Sequence, residues 1–185
     1  VRPSAGSMKS LKVSDYEAIS KLDGVKAASP MTNGSYVVIY QNKNWTTSVS
    51  GVSYNYLDVN NWSMKSGRFL SEKNVQNRER VAVVGKTVVK NLFGDEDPVG
   101  AEIRVKNIPF RIIGVLNSKG SGAMGNDQDD MVIIPYTTAM ERVEGVDYLR
   151  MIYVVGKDES GIDRLQSDIE NLLRVRHGIK DTNLD

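Results

Sequence analysis

Gly85-Lys86-Thr87 follows an apolar run, Arg80 to Val84, and precedes a helical stripe. That is the setting of a phosphate-binding loop, in which bare backbone N–H groups cradle phosphates. Such a loop also needs a glycine five residues before the second one, and that position holds Arg80. A tight strand-to-helix turn is therefore the expectation. Gly120-Ser121-Gly122-Ala123-Met124-Gly125 spells G-x-G-x-x-G after a second strand-like run, Phe110 to Leu116. A dinucleotide fingerprint must open a helix whose N-terminus faces the pyrophosphate. Here Asn126 to Asp130 leads into another apolar strand, Met131 to Ile134, so a glycine loop without a nucleotide is expected.

Asp127, Asp129 and Asp130 have the hard oxygens that Ca²⁺ prefers, but the spacing does not continue into a calcium loop with a closing Glu. The expectation is a solvated acidic turn. His177, the only histidine, falls in Arg174-Val175-Arg176-His177 at a helix end, where cations interact favourably with the dipole. It reads as capping or surface solvation, because no acid or base lies near it in sequence. Asp58, Glu72 and Glu79 are scattered carboxylates that nothing in the sequence brings together for glycosidase-type work. Asn33, Asn44 and Asn61 open formal glycosylation sequons. Trp45 and Trp62 have large apolar area and are expected in the core.

The composition narrows the chemistry further. The 185 residues include 24 Lys plus Arg, 23 Asp plus Glu and no cysteine, for a net charge of +1. That balance argues against a nucleic-acid partner. Disulfides, cysteine-ligated zinc and thiol nucleophiles are excluded. No run approaches the ~18 apolar residues of a membrane span. The chain starts without Met or a secretory signal and ends without a helix stop, the form of a piece excised from something longer.

These residues need elements to position them. Ser14-Asp15-Tyr16-Glu17 has capping-box form and predicts a first helix ended by Gly24. Val25 to Ser29 and Ser35 to Tyr40 read as strands turned at Asn33-Gly34, and Thr46 to Val52 as a third. The texture changes at about Tyr54. Arg80 to Val84 predicts a buried strand, and Val88, Val89, Leu92 and Phe93 share a helix face that Gly94 can end. Glu102 to Val105 and Phe110 to Leu116 predict a hairpin around Lys106 to Pro109. Asn117 to Asp130 is a loop of about 14 residues, a length usually functional or mobile. A strand over Met131 to Ile134, a short helix over Thr137 to Val143 and a strand over Met151 to Val155 follow. The last helix, with a capping-box form at Ser160 and Asp163, carries Ile162, Leu165, Ile169, Leu172 and Leu173 on one face. Interspersed helices and hairpin-linked strands predict an α+β class.

Several ordered stretches carry a resemblance. They include Leu11 to Ile19, Gly51-Val52 to Tyr56-Leu57, Asn61-Trp62 and Gly67-Arg68. Val81 to Gly85 leads to Leu92-Phe93-Gly94 and Asp97-Pro98-Val99-Gly100, and Pro109-Phe110 to Ile113-Gly114-Val115-Leu116 comes next. Lys119-Gly120, Asp127 to Asp130 and Ile133-Ile134-Pro135 complete the order. Together they resemble the extracytoplasmic domain of MacB-type ABC transporter permeases, a family that also holds FtsX-like and lipoprotein-release permeases. Lys119 to Asp130 resembles the macrolide-exporter branch.

The resemblance implies a porter-like α/β subdomain from residues 1–53 and 132–185, with 54–131 inserted as a smaller mixed subdomain. Trp62, Gly67, Arg68, Gly85, Leu92, Phe93, Pro98, Gly100 and Gly114 would be structural family positions. It implies no catalytic residue, cofactor or metal. The domain would lie outside the plasma membrane, coupling cytoplasmic ATP hydrolysis to export of macrolides, peptides or toxins, or to mechanotransmission. Its partners would be its own transmembrane helices, a homodimer mate, an ABC ATPase acting indirectly and a MacA-like adaptor. Lys119, Gly120, Gly122, Gly125, Asp127, Asp129 and Asp130 would form a partner or gating loop. Two other classes stand beside this one: a soluble nucleotide-dependent enzyme built on Lys86, and a secreted binding or adhesive domain using Trp45 and Trp62.

Overall fold

Long-range strand pairing, more than local turn signals, shapes this chain. The structure is a computed structural model that describes residues 11–120 and 127–178. Strand β1 (Val25–Tyr40) runs straight through Asn33-Gly34, which pair with Ser50 and Val49 of β2 (Lys43–Val52). The expected turn there is thus corrected: the chain reverses at Gln41-Asn42, with Gln41 at φ 54°. The glycine has another role. A Cβ at Gly34 would lie 2.7 Å from the Tyr36 ring, so its bare backbone seats that ring on the strand.

Strand β7 (Met131–Pro135) lies parallel to β2, from Ser48↔Met131 to Val52↔Pro135. Strand β4 (Val81–Val84) pairs antiparallel with β7 and parallel with β6 (Ile108–Leu116). Strand β5 (Glu102–Val105) pairs with β6, then meets β1 at Val38↔Val105 and Ile39↔Arg104. The pairings therefore close into a circuit, β1-β2-β7-β4-β6-β5 and back to β1. Closure removes the exposed edges that open sheets must protect. Strand β3 (Met64–Gly67) adds to β6, and β8 (Met151–Gly156) adds to the first half of β1. Mixed strand directions with interspersed helices bear out the α+β class. The β5–β6 turn is only Lys106-Asn107, both with positive φ (49° and 64°), as a two-residue type I′ hairpin requires. Pro109, expected in that turn, already belongs to β6.

The circuit encloses Val38, Val49, Ile103, Phe110, Ile112 and Val132, all but fully buried. Helix α4, Lys86–Leu92, closes one side with Val88 and Leu92, and Gly94 follows its C-cap at φ 61° as expected. Burying each such aliphatic side chain contributes about 1.5–3 kcal/mol. A second core joins α1 (Val13–Ser20) and the last helix, whose stripe was legible, to β1 and β8 through Ile19, Leu165, Ile169, Ala28 and Ile152. Tyr56, Leu70, Ile113 and Leu116 anchor a third.

Short helices fill the connections: α2 (Tyr56–Asn60), α3 (Glu72–Gln76) and α5 (Tyr136–Thr138). The helix expected over Thr137 to Val143 is real, but residues Ala139–Glu144 wind as a π-helix ended by Gly145 at φ 63°. The final helix, α6, spans Ile162–His177. Neither expected capping box forms. Lys12, not Ser14, is the N-cap of α1, and Gly161 is that of α6. The Ser160 hydroxyl donates to Asp158 instead.

Candidate functional site

The helix start at Gly85 is already filled by the chain itself. Gly85 N–H donates to the Met131 carbonyl at 3.0 Å, and Thr87 N–H to the Asp129 carbonyl at 3.3 Å. A Cβ at Gly85 would sit 2.1 Å from that Asp129 oxygen. The glycine thus lets the return strand approach closely, and two of the backbone donors that a phosphate would need are already paired.

The acidic turn is an internal fastening, which corrects the solvated reading. The buried Asp129 carboxylate accepts from the Ser118 hydroxyl at 2.6 Å, from Lys119 N–H at 2.6 Å and from Gly120 N–H at 3.1 Å. Gln128 N–H reaches the Gly120 carbonyl at 3.2 Å. Asp127 accepts from Thr87 Oγ1 and from Asp129 N–H. Asp130 accepts from Trp45 Nε1 at 2.8 Å and Thr47 Oγ1 at 2.7 Å. Burial pushes the Asp129 carboxyl up, but Ser118, the Lys119 and Gly120 N–H groups and the Lys86 charge together hold it below the ordinary value. The loop is therefore pinned at its base. Gly122 and Gly125 lie outside the described residues. Among the described residues no group of three or more His, Asp or Glu side chains is placed to hold a metal. Asp129→Asn replaces one of the two carboxylate oxygens that three donors share with an NH2 group. It is expected to cost about 1–2 kcal/mol in urea unfolding and to speed proteolysis within 117–130, read by mass spectrometry.

Trp62 and Lys119 form the neighbouring surface. Trp62 Nε1 donates to the Asn117 carbonyl, and Lys119 Nζ stands 4.8 Å above the indole while donating to the Asn60 carbonyl. Both tryptophans are half-buried with their N–H groups spent internally. Other family positions also serve the fold. Arg68 donates to buried Asn74, Pro98, Leu92 and Phe93 are buried, and Gly100 N–H bonds the Ile112 carbonyl. At Gly114 a Cβ would meet the Arg68 carbonyl at 2.3 Å.

Sequence reasoning missed one constellation. Asp15 is buried, and its oxygens meet Arg176 Nε at 2.8 Å, His177 Nε2 at 2.9 Å and Lys12 N–H at 2.8 Å. His177 is therefore not merely a solvated helix cap. Its partner lies 162 positions away, beyond any local reading. Burial raises the Asp15 carboxyl, but Arg176, the Lys12 N–H and His177 outweigh it and leave it below the ordinary value. The fastening ties the first helix to the last.

Comparison with known proteins meets this geometry. The MacB-like periplasmic core domain family matches residues 1–172. The macrolide export ATP-binding/permease protein MacB of Rhodospirillum rubrum is 42% identical over 180 residues, covering 96% of this chain and 28% of its own length. That of Marinobacter nauticus is 37% identical over 175 residues, with 95% and 27% covered. The chain thus spans little more than a quarter of these relatives. The crystal structure of the periplasmic region of MacB from Actinobacillus actinomycetemcomitans superposes with a TM-score of 0.83 at 29% identity, covering 94% of this chain and 77% of that one. The extracellular domain of the ABC-type transporter YknZ from Gram-positive bacteria shares the fold, with a TM-score of 0.82 at 20% identity and 95% and 88% covered. No described helix is long and apolar enough to cross a membrane. On the match over residues 1–172 and these relatives, the chain belongs to the MacB-like periplasmic core domain family.

Proposed function

We propose that the chain is the noncatalytic, extracytoplasmic part of an ABC exporter permease, passing movement driven by cytoplasmic ATP hydrolysis to the outer side of the plasma membrane. The match to the MacB-like periplasmic core domain family over residues 1–172, together with the similarity to macrolide export ATP-binding/permease proteins, carries this reading. The site geometry supports it, because the reactive-looking groups are spent on internal bonds that give a rigid scaffold. On this reading the domain works with its own transmembrane helices, a homodimer mate, an ABC ATPase acting indirectly and a MacA-like adaptor. Macrolides, peptides or toxins are its cargo.

The division into 1–53 with 132–185 and 54–131 is part of the proposal. The core that joins α1, α6, β8 and the start of β1 supports it, being drawn almost wholly from the chain ends. The partner role of the loop falls to Lys119, whose side chain lies outside the Asp129 fastening. Calorimetry with ATP and with NAD is expected to give no heat up to millimolar ligand; measurable binding overturns the noncatalytic reading in favour of a nucleotide enzyme. Lys119→Glu keeps the backbone bonds to Asp129, and is expected to weaken capture of a MacA-like adaptor by the whole permease several-fold. Unchanged capture removes the loop's role.

A further inference from the structure

The closed circuit is joined at two seams where strands of the chain ends meet strands of the middle segment. Each seam is short. One is β4 against β7, registered at Val83↔Ile133 and Val84↔Val132. The other is β5 against β1, registered at Val38↔Val105 and Ile39↔Arg104. Their reinforcement is unequal. The β4–β7 seam is fastened beyond both ends. On one side Gly85 N–H bonds the Met131 carbonyl, Thr87 N–H bonds the Asp129 carbonyl, and Thr87 Oγ1 bonds Asp127. On the other side Thr137 Oγ1 donates to the Val75 carbonyl at 2.6 Å, Thr138 Oγ1 donates to the Glu79 carbonyl at 2.8 Å, and Arg78 pairs with Glu141.

The β1–β5 seam has less. Lys106 Nζ donates to the Val143 carbonyl at 2.8 Å and stands 5.8 Å from the centre of the Tyr36 ring on β1, and the Tyr40 hydroxyl donates to Glu96 at an exposed site. Tyr40 also stacks on Phe93 at 4.0 Å. Beyond the seam both strands end in two-residue turns, at Gln41-Asn42 and Lys106-Asn107, so no further ladder continues it.

We propose that the barrel opens first at the β1–β5 seam, with β4–β7 as the fixed side about which the β5–β6 hairpin swings. Local openings in proteins start where few bonds cross and solvent is near; with fewer flanking bonds than its counterpart and with Ile39 and Arg104 exposed, this seam fits that description. The opening parts the Val38 and Val105 side chains, now fully buried against each other's strand. The inference concerns the domain's own mechanics, so its failure leaves the coupling reading untouched.

Amide hydrogen exchange resolved by NMR on this chain tests it. The amides bonded across β1–β5 are expected to exchange at least fivefold faster than those bonded across β4–β7. A smaller difference, or the reverse order, overturns the proposal. The chain has no cysteine, so a pair placed at Ile39→Cys and Arg104→Cys is the only one present. Both positions are exposed and opposite one another. Oxidation is expected to remove the fivefold excess, and reduction to restore it; an excess that survives the cross-link overturns the proposal. Lys106→Met is expected to raise exchange at β1–β5 further while leaving β4–β7 unchanged.

Discussion

Gly67→Ala is expected to destabilise the protein by about 3 kcal/mol or more, measured by urea unfolding. Two effects coincide there. Gly67 sits at φ +69°, a left-handed conformation that side chains resist, and its Cβ would lie 2.2 Å from the Ile113 carbonyl. Neither contact is flexible, because Gly67 pairs with Gly114 on β6 and Arg68 N–H bonds that same carbonyl at 2.9 Å. Relief requires β3 to leave the sheet. Gly94→Ala is the control. It has φ +61° but nothing within 4 Å of a new Cβ, so only the backbone cost of about 1 kcal/mol is expected. Equal losses for the two variants would show that backbone conformation, not close approach, sets the cost.

Asp15→Ala is expected to cost about 2–3 kcal/mol. It strips Lys12 N–H of its acceptor at the start of α1 and leaves Arg176 and His177 without their anion. The figure lies below that for a fully buried pair because the Arg176 side chain is 34% exposed and can rehydrate. The pH dependence has a definite sign. The folded carboxyl is held below its ordinary value of 3.8, so its contribution is complete above that pH. It is lost as pH falls through the lowered folded value. The stability gap between the wild type and Asp15→Ala is therefore expected to persist down to about pH 4, then shrink on further acidification. Urea unfolding at a series of pH values reads it, and a gap unchanged well below pH 3.8 would exclude an ionised Asp15 as the source.

What the sequence revealed and what it hid divide along range. The α6 stripe and the α4 face with Gly94 were legible because periodicity and a C′ glycine are local. Asn33-Gly34 misled because a ladder on β2 overrode a turn propensity. Ser14 and Ser160 misled because capping boxes are short patterns that tertiary context can displace. The fastening at Asp129 joins groups nine to eleven positions apart across the loop, and Asp15 finds His177 from the far end of the chain. No local pattern encodes either. The Gly85 glycine was noticed for phosphate chemistry, whereas its use is to admit the Asp129 carbonyl. Gly85, Asp129 and Asp130 looked chemical by type, and the structure turns each of them to an internal contact.

The parallel pairing of β2 with β7 sets a schedule for the chain's birth. Ser48 cannot meet Met131 until about 80 more residues have been made, which at ordinary synthesis rates is a wait on the order of ten seconds. During that interval both long edges of the β1–β2 hairpin lack their partners, β2's until β7 and most of β1's until β8, and the hairpin carries Val49 and Val52 that will later be wholly buried. Such non-local closure also makes spontaneous folding slow for a chain of this size. Until β7 arrives, the β2 edge of this first hairpin is therefore open to pairing with a neighbour.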